Sequence, residues 1–207
     1  MIRRDALLLG LSAALATSLP ALALDRALTA QEQQLIADIG SYNSAIRSMV
    51  GRYLQIDTNG GRTEGTFFLE RPDKVAFRYA PPSREEIVSV GRGFYVLNRK
   101  DETYYAYPQD TIPLRQFLGD KINLLDANVL DVTTADGYIT ITVVDETVAG
   151  TVQVSLIFDT DSKDLVQWSL VEPSGAELTF SLYDVEKDVQ IPSAFFSIPA
   201  TYKAVEQ

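Results

Sequence analysis

Histidine and cysteine are both absent from the 207 residues. The chain therefore has no imidazole base near neutral pH, no thiol nucleophile and almost none of the ligands that hold transition metals. It has no disulfide framework, so stability rests on packing, and no cysteine that could carry an N-terminal lipid. Carboxylates are plentiful, 28 against 18 Lys and Arg, yet no two stand in a motif that sets them across a sugar ring or a metal. The run Asp159-Thr160-Asp161-Ser162-Lys163-Asp164 begins like a calcium loop but lacks the mid-loop glycine and the terminal bidentate glutamate. Gly91-Arg92-Gly93 lies between two strand-like segments rather than at a helix start, and reads as a bulged turn instead of a phosphate loop. Tyr104, Tyr105 and Tyr107 offer an aromatic platform for a sugar or peptide, which strand propensity explains equally well. An enzyme is the weaker class, and the sequence asks for no cofactor and no metal.

The long apolar run at the N-terminus reads as an export signal. Arg3 and Arg4 precede the apolar stretch Ala6–Leu19, and Ala21-Leu22-Ala23 is an A-x-A cleavage signal. The run is too short and too rich in Ala and Ser for a membrane anchor. The reading predicts a signal peptide over 1–23, cleaved near Ala23, and one mature domain over 24–207 in the periplasm. The Arg-Arg pair loosely resembles a twin-arginine signal, with plain Sec export as the simpler route. Removing 1–23 takes away Arg3, Arg4 and Asp5 and leaves 16 basic and 27 acidic side chains, a net charge of −11. Phosphate backbones and anionic bilayers repel such a chain, which argues against nucleic acid as a partner. The same charge also serves solubility.

Beyond the signal the chain shows one helical pattern and then mostly strands. Thr29-Ala30-Gln31-Glu32 is a capping box, and Leu35, Ile36, Ile39, Tyr42, Ile46, Met49 and Val50 recur at helix spacing up to a stop at Gly51. Eleven strands are predicted, over 52–58, 64–71, 74–80, 86–90, 94–98, 103–107, 128–134, 138–144, 151–159, 165–172 and 176–184. Turn signals such as Asn59-Gly60-Gly61 and Asp136-Gly137 join them as hairpins. A second amphipathic helix is predicted from Thr111 to Asp126, with Leu114, Phe117, Leu118, Ile122 and Leu125 on its apolar face. Phe195, Phe196 and Ile198 suffice to dock the tail on the body. A meander of this length curls, because strand twist accumulates, and so acquires an inside. The helices and the inner face either bury each other or enclose a space.

The stretch Gly65–Tyr79 carries the functional reading. Phe67, Leu69 and Arg71 share one face of a strand, Val75, Phe77 and Tyr79 one face of the next, and Pro72 lies between the two strands. An arginine ending a greasy face needs a polar partner there. The run Gly65-Thr-Phe-Phe-Leu-Glu-Arg-Pro-Asp-Lys-Val-Ala-Phe-Arg-Tyr-Ala-Pro-Pro82 resembles the signature of the LolA family, periplasmic carriers of outer-membrane lipoproteins. Ile87–Val96 resembles its next strand pair, and Ser48–Gln55, more weakly, its helix-to-strand junction. The resemblance implies an α+β fold: an unclosed antiparallel β-barrel of about eleven strands with an α-helical lid over a hydrophobic cavity. By that resemblance Phe67, Leu69, Val75, Phe77, Tyr79, Phe94 and Val96 line the cavity. Leu35, Ile36, Ile39, Ile46, Leu114, Phe117 and Leu118 belong to the lid, and Arg71 latches the lid through its backbone carbonyls. Val75 stands where the family carries a larger aromatic. The implied partners are acylated lipoproteins, an inner-membrane lipoprotein-releasing ABC transporter and, where present, an outer-membrane lipoprotein receptor, with the carrier a monomer. A binder of another amphiphile, such as a glycolipid or hopanoid, and a fully packed interaction domain are the alternatives.

Overall fold

Thr29 caps helix α1 (Ala30–Ala45) as the capping box requires: its hydroxyl accepts the Glu32 N–H at 3.2 Å, and the Glu32 carboxylate accepts the Thr29 N–H at 2.8 Å. The computed structural model that places them describes residues 27–113, 115–147 and 150–206. The predicted signal peptide and Leu114 lie outside the described residues. The helix ends at Ala45, earlier than the expected stop. Ile46 is already extended, and Met49, Val50 and Gly51 belong to strand β1 (Ser48–Ile56). Strand pairing on both sides overrides the helical spacing there, and the missing Cβ of Gly51 has a different use. Gly51 faces Phe67 across the ladder, and a Cβ would lie 2.7 Å from that ring.

Ten further strands follow as a meander: β2 (Arg62–Glu70), β3 (Lys74–Tyr79), β4 (Glu85–Val90), β5 (Gly93–Asn98), β6 (Thr103–Pro108), β7 (Asn128–Ala135), β8 (Tyr138–Thr147), β9 (Gly150–Asp159), β10 (Leu165–Val171) and β11 (Glu177–Lys187). A twelfth, β12 (Lys203–Ala204), comes from the tail and pairs in parallel with β6. The sheet order is β12-β6-β5-β4-β3-β2-β1-β11-β10-β9-β8-β7, so β6 and β7 do not pair and the barrel is left open there. Turn chemistry fixes the register. The Asp57 carboxylate accepts the N–H groups of Asn59 and Gly61 at 2.8 Å, and Asp136 and Gly137 turn the β7–β8 hairpin at φ values of 52° and 81°.

The predicted second helix is replaced by three short 3₁₀ turns, Gln109–Thr111, Arg115–Leu118 and Leu124–Asp126. Pro113 forces Ile112 into extended backbone at ψ 140°, which ends the first turn, and Gly119 follows the second. Asn123 caps the third by accepting the Leu125 N–H, and Leu125 itself is exposed. We call residues 109–126 the strap.

The curved sheet buries its inner face and the β2–β5 part of its outer face. On the inner face Ile36 and Ile39 of α1 and Phe117, Ile122 and Leu124 of the strap pack against Ile139, Ile141, Val154 and Leu156. Trp168 links this cluster to Tyr53, Phe67, Tyr79 and Phe180, and Met49 and Phe77 carry it on to Leu69, Val75 and Leu118. On the outer face, Ala76, Val88 and Leu97 are covered by Ile191, Phe195 and Phe196 of the tail, as the tail's aromatics predict. The Phe195 ring lies 4.4 Å from that of Phe68, and the Arg78 guanidinium sits 4.5 Å over Phe195.

Candidate functional site

The alternation of β2 and β3 sorts their aromatic residues between the two faces. Phe67 pairs with Phe77 and Leu69 with Val75, and these four side chains join the inner clusters, whereas Phe68 joins the outer one. Phe67, Leu69, Val75 and Tyr79 are buried, and Phe77 is half-buried. Phe94 and Val96 follow on the same side through the register Val75–Ser89–Phe94 and Phe77–Ile87–Val96, both half-buried. That face ends on β6 at Tyr105 and Tyr107, which are exposed. The strip from Arg71 down β2 to Gly65 is about 20 Å long, the length of a long acyl chain.

The expected lid residues divide between two elements. Leu35, Ile36 and Ile39 cover the β8–β10 half of the inner face. Ile46 is buried at the extended end of α1 rather than within it. On the strap, neighbouring residues serve opposite halves: Phe117 packs with α1, and Leu118 packs on Leu69 and Val75. The strap is held by sparse polar contacts. The Asp73 N–H donates to the Leu118 carbonyl at 2.8 Å, and the Ile122 N–H donates to the Ser44 hydroxyl at 2.8 Å. The Gln109 amide donates to the Asp73 carbonyl at 3.0 Å and to the Ser89 hydroxyl at 2.6 Å. Sequence reasoning missed Ser44, Asp73 and Gln109, whose roles depend on partners far along the chain.

Arg71 lies two residues past Leu69 at the rim and is only 6% exposed. Its Nε and Nη1 are buried and have no hydrogen-bond partner among the described residues, so neither atom bonds a described lid carbonyl. The bond from this turn to the strap comes instead from the Asp73 backbone. Burial, reinforced by the charge of Arg47, draws the Arg71 guanidinium down to about 10. Arg47 accepts the Arg71 N–H on its carbonyl at 2.8 Å and pairs its guanidinium with Asp120 of the strap at 2.8 Å. At the far end of the strip the Tyr53 hydroxyl is buried beside Tyr79, and Tyr79 donates to Gln55 at 2.6 Å. Burial, helped by the charge of Glu85, pushes Tyr79 up to about 12.

On the inner face Phe67, Leu69, Val75 and Tyr79 are buried by the protein's own side chains. Two cavities, of about 260 and 380 Å³, are lined by residues including Arg115 and Asp145, and Tyr138 and Val166, and neither touches Phe67, Leu69, Val75, Phe77 or Tyr79. The calcium-like run is a hairpin tip: the Asp159 carboxylate accepts the Asp161 and Ser162 N–H groups, and Asp164 pairs with Lys187.

The model of the family described as outer membrane lipoprotein carrier protein LolA matches residues 44–199. A stretch of 75 residues is 34% identical to an outer-membrane lipoprotein carrier protein of Alkalilimnicola ehrlichii, covering 34% of this chain and 35% of that protein. The match thus spans about a third of that relative's length. The fold is shared with a putative outer membrane lipoprotein-sorting protein domain from Vibrio parahaemolyticus, at TM-score 0.51 and 10% identity over 81% of this chain and 97% of that one. An uncharacterized conserved protein from Thermus thermophilus shares it at TM-score 0.51 and 7% identity, over 84% and 98% of the two chains.

Proposed function

The chain belongs to the LolA family of outer membrane lipoprotein carrier proteins, and on that premise we propose that it is a periplasmic carrier that hides lipoprotein acyl chains against its inner face. The observation that supports this most is the strap that roofs the inner face. The strap covers Leu69 and Val75 with Leu118 and is tied to the β2–β3 turn, to β4, to Ser44 of α1 and to Arg47 by individual hydrogen bonds and an ion pair. Burying an acyl chain gains about 0.8 kcal/mol per CH₂. A cavity filled at rest offsets part of that gain, because cargo must displace Leu118 and Phe117 first, so binding stays releasable. Phe67, Leu69, Val75, Phe77 and Tyr79 form the acyl-binding strip, with Phe94 and Val96 at its open side. Arg71 stands at the rim beside the latch and helps to set the cost of opening. Loading comes from an inner-membrane ABC transporter and delivery goes to the outer membrane, through a receptor where one exists. The mature chain, 24–207, works as a monomer.

The test is to incubate the mature protein with spheroplasts carrying labelled lipoproteins and ATP. A soluble one-to-one complex is expected. Lipoproteins that stay with the membrane while free lipid copurifies with the protein would sink the reading.

A further inference from the structure

We propose that Arg71 and Arg47 form a cradle for the ester and amide carbonyl oxygens at the head of an acylated ligand, and that Asp120 of the strap occupies its outer part while the roof is shut. The inference rests on the carrier reading and names the chemistry recognised at its rim. Buried donors without acceptors are rare in native folds and mark a place where an acceptor arrives. Arg71 Nε and Nη1 are such donors, on a side chain 6% exposed that continues the inward side of β2 past Leu69. The neighbouring charge is Arg47, of the same sign. Arg47 keeps its own carboxylate, Asp120, at 2.8 Å, and that carboxylate belongs to the segment that must move for the strip to open. Lifting the strap withdraws Asp120 and leaves the Arg47 guanidinium, 3.4 Å from the Arg71 carbonyl, without its carboxylate next to the buried Arg71. Acyl chains laid along Leu69, Phe67 and Phe77 put their ester linkages there. Neutral carbonyls suit the site, since they cost less to desolvate than a charged group and the Arg71 Nε and Nη1 donors have no acceptor among the described residues.

The test uses the mature protein and two probes: a diacylglyceryl lipopeptide with ester-linked palmitoyl chains, and the same peptide with ether-linked hexadecyl chains. Trp168, the sole tryptophan, stacks on Phe180 at 4.2 Å on the inner face and reports binding by fluorescence. The ester probe is expected to bind about tenfold tighter, the worth of one good hydrogen bond. Arg71→Met should bind both probes at the affinity of the ether form, and Arg71→Lys, which keeps the charge and a donor, should retain part of the preference. Asp120→Asn should tighten ester binding more than ether binding, since it frees the cradle as well as loosening the strap. Equal affinity of the wild type for both probes overturns the cradle and leaves the carrier reading standing; binding of neither probe overturns both.

Discussion

The Asp73 N–H donates to the Leu118 carbonyl across 2.8 Å, joining the β2–β3 turn to the strap. Asp73 holds a left-handed backbone at φ 65°, a conformation that Asp tolerates and β-branched residues resist. The Asp73 amide therefore reports the roof directly. Its hydrogen exchange should be slow in the free protein and accelerate once cargo lifts the strap. Asp73→Val should cost about 1–2 kcal/mol of stability and speed exchange at this amide in the free protein.

The second tie is the Ser44 hydroxyl, which accepts the Ile122 N–H and donates to the Gly40 carbonyl. Ser44→Ala leaves the Ile122 amide unpaired and should lower the cost of opening by about 1–2 kcal/mol. The measurement is acyl-probe exchange: faster on and off rates are expected, with global stability lowered by about the same 1–2 kcal/mol.

The end of α1 is tied to the sheet by a triad. Lys187 donates to both oxygens of Asp164 at 2.7 and 2.8 Å, and the Tyr42 hydroxyl donates to Asp164 at 2.8 Å. Burial alone raises the Asp164 carboxyl, but the bonds from Lys187 and Tyr42 outweigh it and hold it below the usual range, and they raise Lys187. A depressed acid stabilises the fold above its unfolded pKa and loses that contribution as pH falls through the folded one. Asp164→Asn should cost about 0.5–1 kcal/mol at pH 7, since the pair is about a third exposed. The difference from wild type should vanish in denaturant titrations taken well below pH 4. On the alkaline side the same difference fades as Lys187 loses its proton above its raised pKa.

Gly65 makes room for the Arg78 carbonyl and for Tyr53: a Cβ there would collide with that backbone oxygen and lie 2.5 Å from the Tyr53 hydroxyl. Gly65→Ala should destabilise by about 1–3 kcal/mol through overpacking, read as a lower melting temperature. Pairing it with Tyr53→Phe should recover part of the loss, because the shorter ring removes one clash.

The strands were legible because their signals are local: period-two apolar residues between Asn-Gly and Asp-Gly turns leave little freedom of register. The inner-face assignment of Phe67, Leu69, Val75, Phe77 and Tyr79 followed from the same alternation. The strap was not legible as it folds, because its apolar spacing satisfies a helix while Pro113 and the tertiary contacts of Phe117 and Leu118 override it. Gly51 misleads for a related reason: a glycine after a helical pattern signals a stop, and only the position of the Phe67 ring shows why one is required. Arg71 at the end of the strip is legible from the alternation, but its neighbours are not, since Arg47 and its partner Asp120 come from two other segments.

Phe67 and Phe68 are sequence neighbours on opposite faces, the first in the inner cluster and the second under the Phe195 ring of the tail. Their contrast tests the carrier account most directly. A photo-crosslinking phenylalanine analogue placed at 67, 77 or 68 is loaded with acyl-labelled lipoprotein and irradiated. Acyl label attached from positions 67 and 77 but not from 68 is the predicted result. Equal attachment from 68, or none from 67 and 77 while the complex persists, contradicts it.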